Sequence, residues 1–259
     1  MMASDHRGMG LEGKNVVVLG VADESSLAWA ITKRFAEHGA RVFIGYQQKF
    51  FSRVRLLLLD NPAIQGDRCD VLKDEEITNF FGRFRDIPID VLVHGIAFAP
   101  GEMFTEPPSE TSADGFCQSL TISAHSLCKV VRFAKPSMRN WSSVITLTYQ
   151  ASERAEASYG LMGVAKAALE ASTRYLAYDL GPKRIRVNCI SAGPVNTLAA
   201  RGIAGFTEML KHYEGHSPLK RNVLPEELGA TGLFLAGDGA AAITGQVIYV
   251  DCGYQIMGM

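Results

Sequence analysis

The sequence predicts an α/β fold built on a doubly wound, seven-stranded parallel sheet, with helices on both faces and a small helical lid. Short, uniformly apolar runs recur along the chain, and NVVVL at 15–19 and DVLVH at 90–94 are two of them. Such runs are typical of parallel strands that are buried on both faces. Stretches with helical periodicity separate the runs, so strands and helices alternate. A TIM barrel would need an eighth unit, which makes it the weaker alternative.

The predicted elements divide the chain as follows. Strands are predicted over residues 15–19, 41–45, 64–69, 90–94, 144–147, 185–190 and 246–250. The clearest helices are predicted over residues 26–39, 48–60, 111–135, 159–180 and 225–236. We interpret residues 1–12 as a flexible N-terminal tail and residues 13–259 as a single domain, with the lid at about 195–220.

Composition excludes several classes of function. The 259 residues are 47% apolar and carry a formal net charge of −1, so the balance of charge gives no support to a nucleic-acid partner. Five cysteines are scattered without a CxxC pair or a His-Cys cluster, which favours reduced thiols over disulfides or a metal site. No apolar run approaches the roughly 20 residues of a membrane helix, and the start has no signal-peptide pattern. We therefore expect a cytoplasmic protein without a metal.

The first strand, helix and second strand form a βαβ unit of the length that binds nucleotides, which makes the domain Rossmann-like. The G-x-G-x-x-G pattern is missing, but Gly20 and a serine at the helix start, Ser25 or Ser26, can hold a pyrophosphate through backbone N–H groups. A plain strand-turn-helix is the alternative. Gln47 ends the second strand where many NAD enzymes place an acid, which favours NADH. Asp70 accepts from an adenine amino group or caps the next helix.

Tyr159 and Lys166 carry the strongest chemical signal. They lie seven residues apart on a predicted helix, so both side chains should share one face, and Tyr149 ends the preceding strand. A nearby ammonium should lower the tyrosine pKa and make the phenol a better proton donor. The pair resembles the catalytic pair of short-chain dehydrogenase/reductases, which are usually four residues apart. A longer spacing suits hydride delivery to the β-carbon of an enoyl group, and a packed tyrosine with a surface lysine is the alternative.

The lid is predicted from Gly202 and Gly205, which could let a short helix open and close. Ile203, Phe206 and Met209 would then suit an acyl chain, unless they belong to the core. His94, at the end of a buried strand, is interpreted as structural rather than catalytic.

These motifs together identify a family. The stretches GVADESSLAWAI, GYQ, CDV, HGIAFAPG, YGLMGVAKAALEAS and RVNCISAGPVNTLAA, with the two tyrosines and the lysine, resemble bacterial NADH-using enoyl-[acyl-carrier-protein] reductases of the short-chain dehydrogenase/reductase superfamily. The resemblance extends from Leu11 to Met259. It implies reduction of the trans-2 double bond of enoyl thioesters, in the last step of fatty-acid elongation.

The resemblance also implies roles for individual residues. The catalytic residues would be Tyr149, Tyr159 and Lys166. NADH, rather than NADPH, would contact Gly20, Ser26, Leu27, Gln47, Asp70, Val71, Ile96, Lys166, Val195, Thr197, Leu198 and Ala199. The substrate-binding pocket would contain Ala99, Tyr149, Tyr159, Met162, Ile203 and Phe206. The chain departs from the family pattern at Gly95, Ala97, Asn196 and Cys252.

The implied partners are acyl carrier protein and further copies of the chain, as a homotetramer, with neither nucleic acid nor membrane. Lys211, Lys220 and Arg221 are candidates for the electropositive docking site of the carrier. Two alternatives remain open at this stage. One is a 3-ketoacyl or other carbonyl reductase of the same superfamily, and the other is a cofactor-binding scaffold without catalysis.

Overall fold

The computed structural model describes residues 10–157, 159–202 and 205–258, and it contains one parallel sheet. The strand order is β3-β2-β1-β4-β5-β6-β7 and every neighbouring pair is parallel. The strands are β1 Asn15–Leu19, β2 Arg41–Tyr46, β3 Gln65–Arg68, β4 Ile89–His94, β5 Met138–Thr148, β6 Arg186–Ala192 and β7 Val247–Val250. The predicted doubly wound, seven-stranded architecture is therefore confirmed.

The helices lie on both faces of this sheet. They are α1 Leu27–Glu37, α2 Phe51–Asp60, α3 Asp74–Gly82, α4 Glu102–Thr105, α5 Ala113–Leu120, α6 Ser126–Ala134, α7 Leu161–Leu180, α8 Phe206–His216 and α9 Pro225–Ala236. The single helix predicted over 111–135 is divided by a π-helical turn at Thr121–His125. There the hydroxyl of Ser126 donates to the carbonyl of Ile122 at 2.5 Å, and such side-chain bonding competes with the regular helical ladder.

Alternation along the strands builds an apolar core on each face of the sheet. Val16 and Val18 of β1 belong to a cluster that includes Phe35 of α1. Val17 and Leu19 of the same strand belong to a second cluster, with Phe80 of α3 and residues of α6 and α7. Successive side chains of a strand point to opposite faces, so a uniformly apolar β1 supplies both cores.

The N-terminal boundary of the domain lies earlier than predicted. Leu11 is 1% exposed and its N–H donates to the carbonyl of His38 at 3.0 Å. Its burial against the first cluster ties the chain down before residue 12, so the predicted tail is too long at this end. The remainder of the predicted tail, residues 1–9, lies outside the described residues. Within the described ranges, no helix is both long and apolar enough to cross a membrane.

The strand order creates a crevice at one edge of the sheet. The chain runs from β1 outward to β2 and β3, then returns to β4 on the other side of β1. At such a switch point the connections leave in opposite directions, and ligands bind beyond the carboxyl ends of the strands. The segments that follow β1, β4, β5 and β6 all reach this edge.

Candidate functional site

The floor of the crevice consists of glycines that cannot be enlarged. Gly20 follows β1 with φ +100°, and a Cβ there would overlap the carbonyl oxygen of Gly95, which follows β4. Gly95 in turn donates its N–H to the carbonyl of Leu19 at 2.9 Å. The two loops therefore touch through backbone atoms. This close approach leaves room for a ligand directly above the sheet edge.

The N-terminus of α1 faces this floor. Ser26 is the extended N-cap residue, Leu27 begins the helix, and the first turn consists of uncharged residues. The first-turn N–H groups and the helix dipole make this end suited to an anion such as a pyrophosphate. Asp23 precedes it, but its carboxylate accepts from the N–H and hydroxyl of Ser25 and lies 3.8 Å from Arg53. Its negative charge is thus partly neutralised.

The segment after β6 packs beside the same helix end. The N–H of Leu198 donates to the hydroxyl of Ser25 at 3.1 Å, which links this segment to the loop after β1. Val195 is half-buried against the first apolar cluster, and Thr197 accepts from the N–H of Ala200 at 3.1 Å. Ala199, the residue after Leu198, is exposed. All four residues predicted here line one side of the crevice, although their contact with a cofactor stays a prediction.

The ends of β2 and β3 form the opposite side. Gln47 follows β2 and is half-buried, and Asp70 follows β3. Asp70 accepts from the N–H of Leu72 at 3.0 Å, while the N-cap of α3 is Lys73. Asp70 therefore shapes the turn and does not cap the helix. Val71 is buried, and its carbonyl accepts from the ammonium of Lys129 at 2.9 Å.

The cations near Gln47 have partners of their own. The ammonium of Lys49 lies over the rings of Phe50 and Phe98, at 5.0 and 5.6 Å from their centroids. Arg53 pairs with Asp23, as described above. Ile96, which follows β4, is half-buried against the second apolar cluster. This side of the crevice therefore offers an amide and carbonyl groups to a ligand.

Lys166 lies on α7, as predicted, and points into the protein. Its side chain is 5% exposed, and its ammonium donates to the carbonyl of Leu147 in β5 at 2.8 Å. Burial lowers the pKa of Lys166 to about 8, while the nearby Cys189 and Glu170 oppose that shift. The thiol of Cys189 is itself buried and its pKa is raised to about 12, so the charge next to Lys166 is that of Glu170.

Tyr159 does not share a helix with Lys166, which corrects the predicted geometry. Helix α7 begins at Leu161, and the intervening Gly160 has φ +47°. A Cβ at Gly160 would overlap the carbonyl oxygen of Met103, so the packing against α4 at this positive φ leaves space only for glycine. Tyr159 therefore belongs to the turn before α7.

The predicted lowering of the Tyr159 pKa is also wrong. Burial raises the pKa of Tyr159, and the neighbouring phenol of Tyr149 adds to the increase. Desolvation disfavours the phenolate, and it outweighs any effect of the ammonium of Lys166. The phenol of Tyr159 therefore stays protonated, as a hydrogen-bond donor rather than a phenolate.

Three of the residues predicted for the substrate, Ala99, Tyr149 and Met162, lie in apolar clusters that include Tyr159. Its ring lies 4.8 Å from that of Tyr149 and 6.2 Å from that of Phe104, measured between centroids. Tyr159 also joins two apolar clusters. One contains Ala99, Met103, Leu161, Met162 and Ala165, and the other contains Tyr149, Ala151 and Tyr213 with Met209 and Tyr254 at its edge. Phe206 is the first residue of α8 and is 9% exposed, while Ile203 lies outside the described residues.

Three polar residues at this site were not predicted. The hydroxyl of Tyr149 shares a hydrogen bond with that of Tyr213 at 2.5 Å. The amide of Gln150 donates both to the hydroxyl of Tyr213 and to the carboxylate of Glu156. Helical periodicity could have indicated Tyr213, because it lies four residues after Met209 and so on the same face of α8. Gln150 and Glu156 lie in loops, where the sequence offers no such signal.

His94 is structural, as predicted. It is fully buried, and its ring nitrogens are 3.0 Å from the hydroxyl of Thr146 and 2.7 Å from that of Ser126. Burial, followed by the charge of Lys166, lowers the pKa of His94 to about 3. The imidazole is therefore neutral at physiological pH, and it lies beneath the crevice as part of the core.

Comparisons with known proteins agree with this geometry. A family model described as Enoyl-(Acyl carrier protein) reductase matches residues 20–255. An enoyl-[acyl-carrier-protein] reductase [NADH] FabI from Nostoc sp. is 45% identical over 258 residues, which cover 97% of this chain and 100% of the relative. The Bacillus cereus enoyl-acyl carrier protein reductase, solved with NADP+ and indole naphthyridinone, has a TM-score of 0.93 at 42% identity, covering 96% of this chain and 99% of that one. The corresponding Anaplasma phagocytophilum structure, in complex with NAD, has a TM-score of 0.92 at 40% identity and covers 98% of each chain.

Proposed function

The chain belongs to the enoyl-(acyl carrier protein) reductase family, and from this premise we propose that it is an NADH-dependent enoyl-[acyl-carrier-protein] reductase. It is an oxidoreductase that acts on a carbon–carbon double bond. It reduces the trans-2 double bond of an enoyl thioester carried by acyl carrier protein, which is the last step of fatty-acid elongation. A single reductase domain would extend from about residue 11 to residue 259, with α8 and the segment before it, about 195–220, as the lid.

The position of Tyr159 is the observation that carries this proposal. A carbonyl reductase of this superfamily would place its tyrosine four residues before the lysine, where this chain has Met162. That side chain is 3% exposed and apolar, so it cannot donate to a carbonyl oxygen. Tyr159 lies instead in the turn before α7, displaced along the pocket toward Phe104. A phenol set back in this way suits conjugate reduction, in which the oxygen is two bonds further from the carbon that receives hydride.

The crevice fits a dinucleotide. Its floor is glycine backbone, its α1 end is uncharged, and its β2 side offers an amide in place of a free cation. The proposed contacts to NADH are Gly20, Ser26, Leu27, Gln47, Asp70, Val71, Ile96, Lys166, Val195, Thr197, Leu198 and Ala199. NADPH is disfavoured because Arg53 is paired with Asp23 and Lys49 lies over two aromatic rings. When bound, NADH supplies a hydride for the β-carbon of the enoyl group.

Tyr159 and Lys166 would do different work in the reaction. As the β-carbon receives hydride, negative charge moves to the thioester oxygen and an enolate forms. The protonated phenol of Tyr159 donates to that oxygen, and a proton added at the α-carbon then gives the saturated thioester. A placed donor of this kind typically contributes about 3 kcal/mol to the transition state. The ammonium of Lys166 would hydrogen-bond the nicotinamide ribose and so orient the cofactor.

The acyl chain would lie against the apolar side chains that surround the tyrosines. Ala99 and Met162 lie in one apolar cluster, and Met209 of α8 packs at the edge of the other. Phe206 and Ile203 complete the proposed wall. Because these residues come from the loop after β4, from α7 and from α8, movement of α8 would change the width of the pocket.

An electropositive docking surface for acyl carrier protein is part of the proposal. Among the predicted cations, Lys211 is exposed on α8. The ammonium of Lys220 donates to the carbonyl of Gly215 at 2.8 Å. Arg221 forms a two-pronged ion pair with Glu227, with N–O distances of 2.6 and 2.8 Å, so its charge is largely neutralised. Lys211 is therefore the better candidate.

A homotetramer in the cytoplasm is proposed as the form that acts. Helix α7 presents Val164, Tyr175 and Tyr178 to solvent, with exposed fractions of 45%, 78% and 85%. Aromatic side chains on an exposed helix face are typical of subunit interfaces. The five cysteines are free thiols, which suits a reducing compartment.

The test measures the rate of NADH oxidation with each of two substrates, the crotonyl and the acetoacetyl thioester of the same carrier. We expect NADH to be consumed with the crotonyl thioester and not with the acetoacetyl thioester. Tyr159→Phe should lower kcat about a hundredfold, because it removes the placed donor. Thr78→Val, which removes a hydroxyl at an exposed position of α3, is the control and should leave kcat unchanged. Turnover of the ketone alone would reject the proposed reaction.

A further inference from the structure

Helix α8 places a polar group inside the apolar cluster next to the proposed catalytic residues. Tyr213 is 2% exposed, and its hydroxyl is 2.5 Å from that of Tyr149, which is 8% exposed. A buried hydroxyl without partners would be costly, and here each phenol supplies a partner for the other. The contact joins the lid helix to the loop that follows β5.

The number of donor hydrogens limits which hydrogen bonds this network can form. The amide of Gln150 has two, and they go to the hydroxyl of Tyr213 and to the carboxylate of Glu156, at 2.5 and 2.6 Å. The phenol of Tyr213 has one, and it faces Tyr149 at 2.5 Å and Glu156 at 3.4 Å. The oxygen of Tyr213 therefore accepts from Gln150 and is hydrogen-bonded to the Tyr149 hydroxyl at the same time, which holds that hydroxyl against α8.

The ring of Tyr213 is fixed as well. It stacks on the ring of Tyr254 with a centroid distance of 3.7 Å and an interplanar angle of 15°. Tyr254 belongs to the C-terminal segment, and its hydroxyl is 3.0 Å from a ring nitrogen of His212. Tyr213 is thus held from two sides, by stacking at its ring and by hydrogen bonds at its oxygen.

We propose that Tyr213 is a positioning residue, which acts on the reaction through Tyr149. It holds the Tyr149 hydroxyl away from the thioester and the Tyr149 ring against Tyr159, whose centroid is 4.8 Å away. Only the Tyr159 phenol then meets the thioester oxygen. Without the Tyr213 hydroxyl, Tyr149 turns to find another partner, and the support of Tyr159 is lost. This inference rests on the proposed function and adds a residue to the same site.

The experiment is a double-mutant cycle on the purified full-length chain, with crotonyl thioester and NADH. Tyr213→Phe keeps the stacked ring and removes the hydroxyl. We expect it to lower kcat at least fivefold while the KM for NADH stays within twofold, because the crevice is untouched. Tyr149→Phe should lower kcat to a similar extent, and the double variant should be no slower than the slower single variant.

The controls separate positioning from a loss of stability. Tyr254→Phe keeps its ring on Tyr213 and removes a hydroxyl outside the network, so its kcat should match that of the wild type. If Tyr213→Phe does not fold, Gln150→Met removes the other donor to the Tyr213 oxygen and should lower kcat at least threefold at unchanged KM for NADH. The inference would be overturned if the kcat losses of Tyr213→Phe and Tyr149→Phe multiplied in the double variant. It would also be overturned if Tyr213→Phe kept a kcat within twofold of the wild type. A wild-type chain inactive on crotonyl thioester would instead reject the proposed function.

Discussion

At the scale of single residues, burial controls the chemistry of the site more than the charge of one residue on another. Tyr159 and Lys166 were expected to act on each other through charge. In the structure, desolvation raises the pKa of the phenol and lowers the pKa of the ammonium. Both shifts favour the neutral form of the group. A protonated phenol, and an amine whose pKa is lowered to about 8, can each donate a hydrogen bond at a different position in one crevice.

The depressed pKa of Lys166 predicts a pH dependence of cofactor use. The amine is charged below about 8 and neutral above it, so kcat/KM for NADH should fall as the pH rises through about 8. Removal of the negative charge in Glu170→Gln should move this fall to lower pH, because Glu170 raises the pKa of Lys166. Initial rates at limiting NADH between pH 6 and 10 provide the measurement. A profile that stays flat to pH 9.5 in the wild type would contradict the role given to Lys166.

At the scale of elements, glycines in turns decide where the helices begin. Gly160 has φ +47° and faces the carbonyl of Met103 in α4, so α7 begins at Leu161, two residues later than predicted, and Tyr159 lies in the preceding turn. The position of the phenol therefore depends on the contact between α4 and the α7 turn. The two residues in contact, Met103 and Gly160, are more than 50 residues apart in sequence.

Gly160→Ala tests this dependence. The new methyl group would overlap the Met103 carbonyl and force α4 or the turn to move, so we expect kcat to fall at least tenfold and the free energy of unfolding to fall by about 2 kcal/mol. Gly13→Ala is the matched control, since Gly13 has φ +68° and open space around its Cα. It carries the conformational cost without the clash, so kcat should be unchanged. Equal kinetic losses in both variants would show that the contact with α4 is irrelevant.

The same turn shows how far the sequence alone could lead. β1 was predicted at its observed bounds because a uniformly apolar run between turns has one structural interpretation. Lys166 was placed on its helix by periodicity. Tyr159 was misplaced because the conformation of Gly160 is imposed by α4, and no local pattern records that contact. The spacing of Tyr213 from Met209 indicates a shared face of α8, but its hydrogen bond to Tyr149 was missed because no local pattern records a contact between a helix and a distant loop.

At the scale of the whole molecule, a layer of polar side chains lies beneath the crevice in the centre of the sheet. His94 of β4 bonds to Thr146 of β5 and to Ser126 of α6, so one imidazole joins three elements. Burial favours the neutral imidazole, because a charged ring would be desolvated between these elements. The stability of the fold is therefore coupled to pH through a fully buried residue.

This coupling predicts the response of the molecule to acid. Burial lowers the pKa of His94 from 6.5 to about 3, so the unfolded chain binds one more proton than the native chain between these values. The free energy of unfolding should fall as the pH falls below 6.5, by about 1.4 kcal/mol per pH unit from this group.

Urea unfolding at pH 6.5 and 4.5, at one protein concentration, measures the effect. Carboxylates titrate in the same range, so the contribution of His94 is the difference between the wild type and His94→Phe. The hydroxyls of Thr146 and Ser126 keep their backbone partners in this variant. We expect the variant to lose about 2 to 3 kcal/mol less than the wild type over these two pH units. His125→Gln, at an exposed position on the π-helical turn, should lose as much as the wild type. Equal losses in wild type and His94→Phe would mean that the buried imidazole takes up its proton in the native fold over the same pH range, so that the pKa of His94 is not lowered by folding.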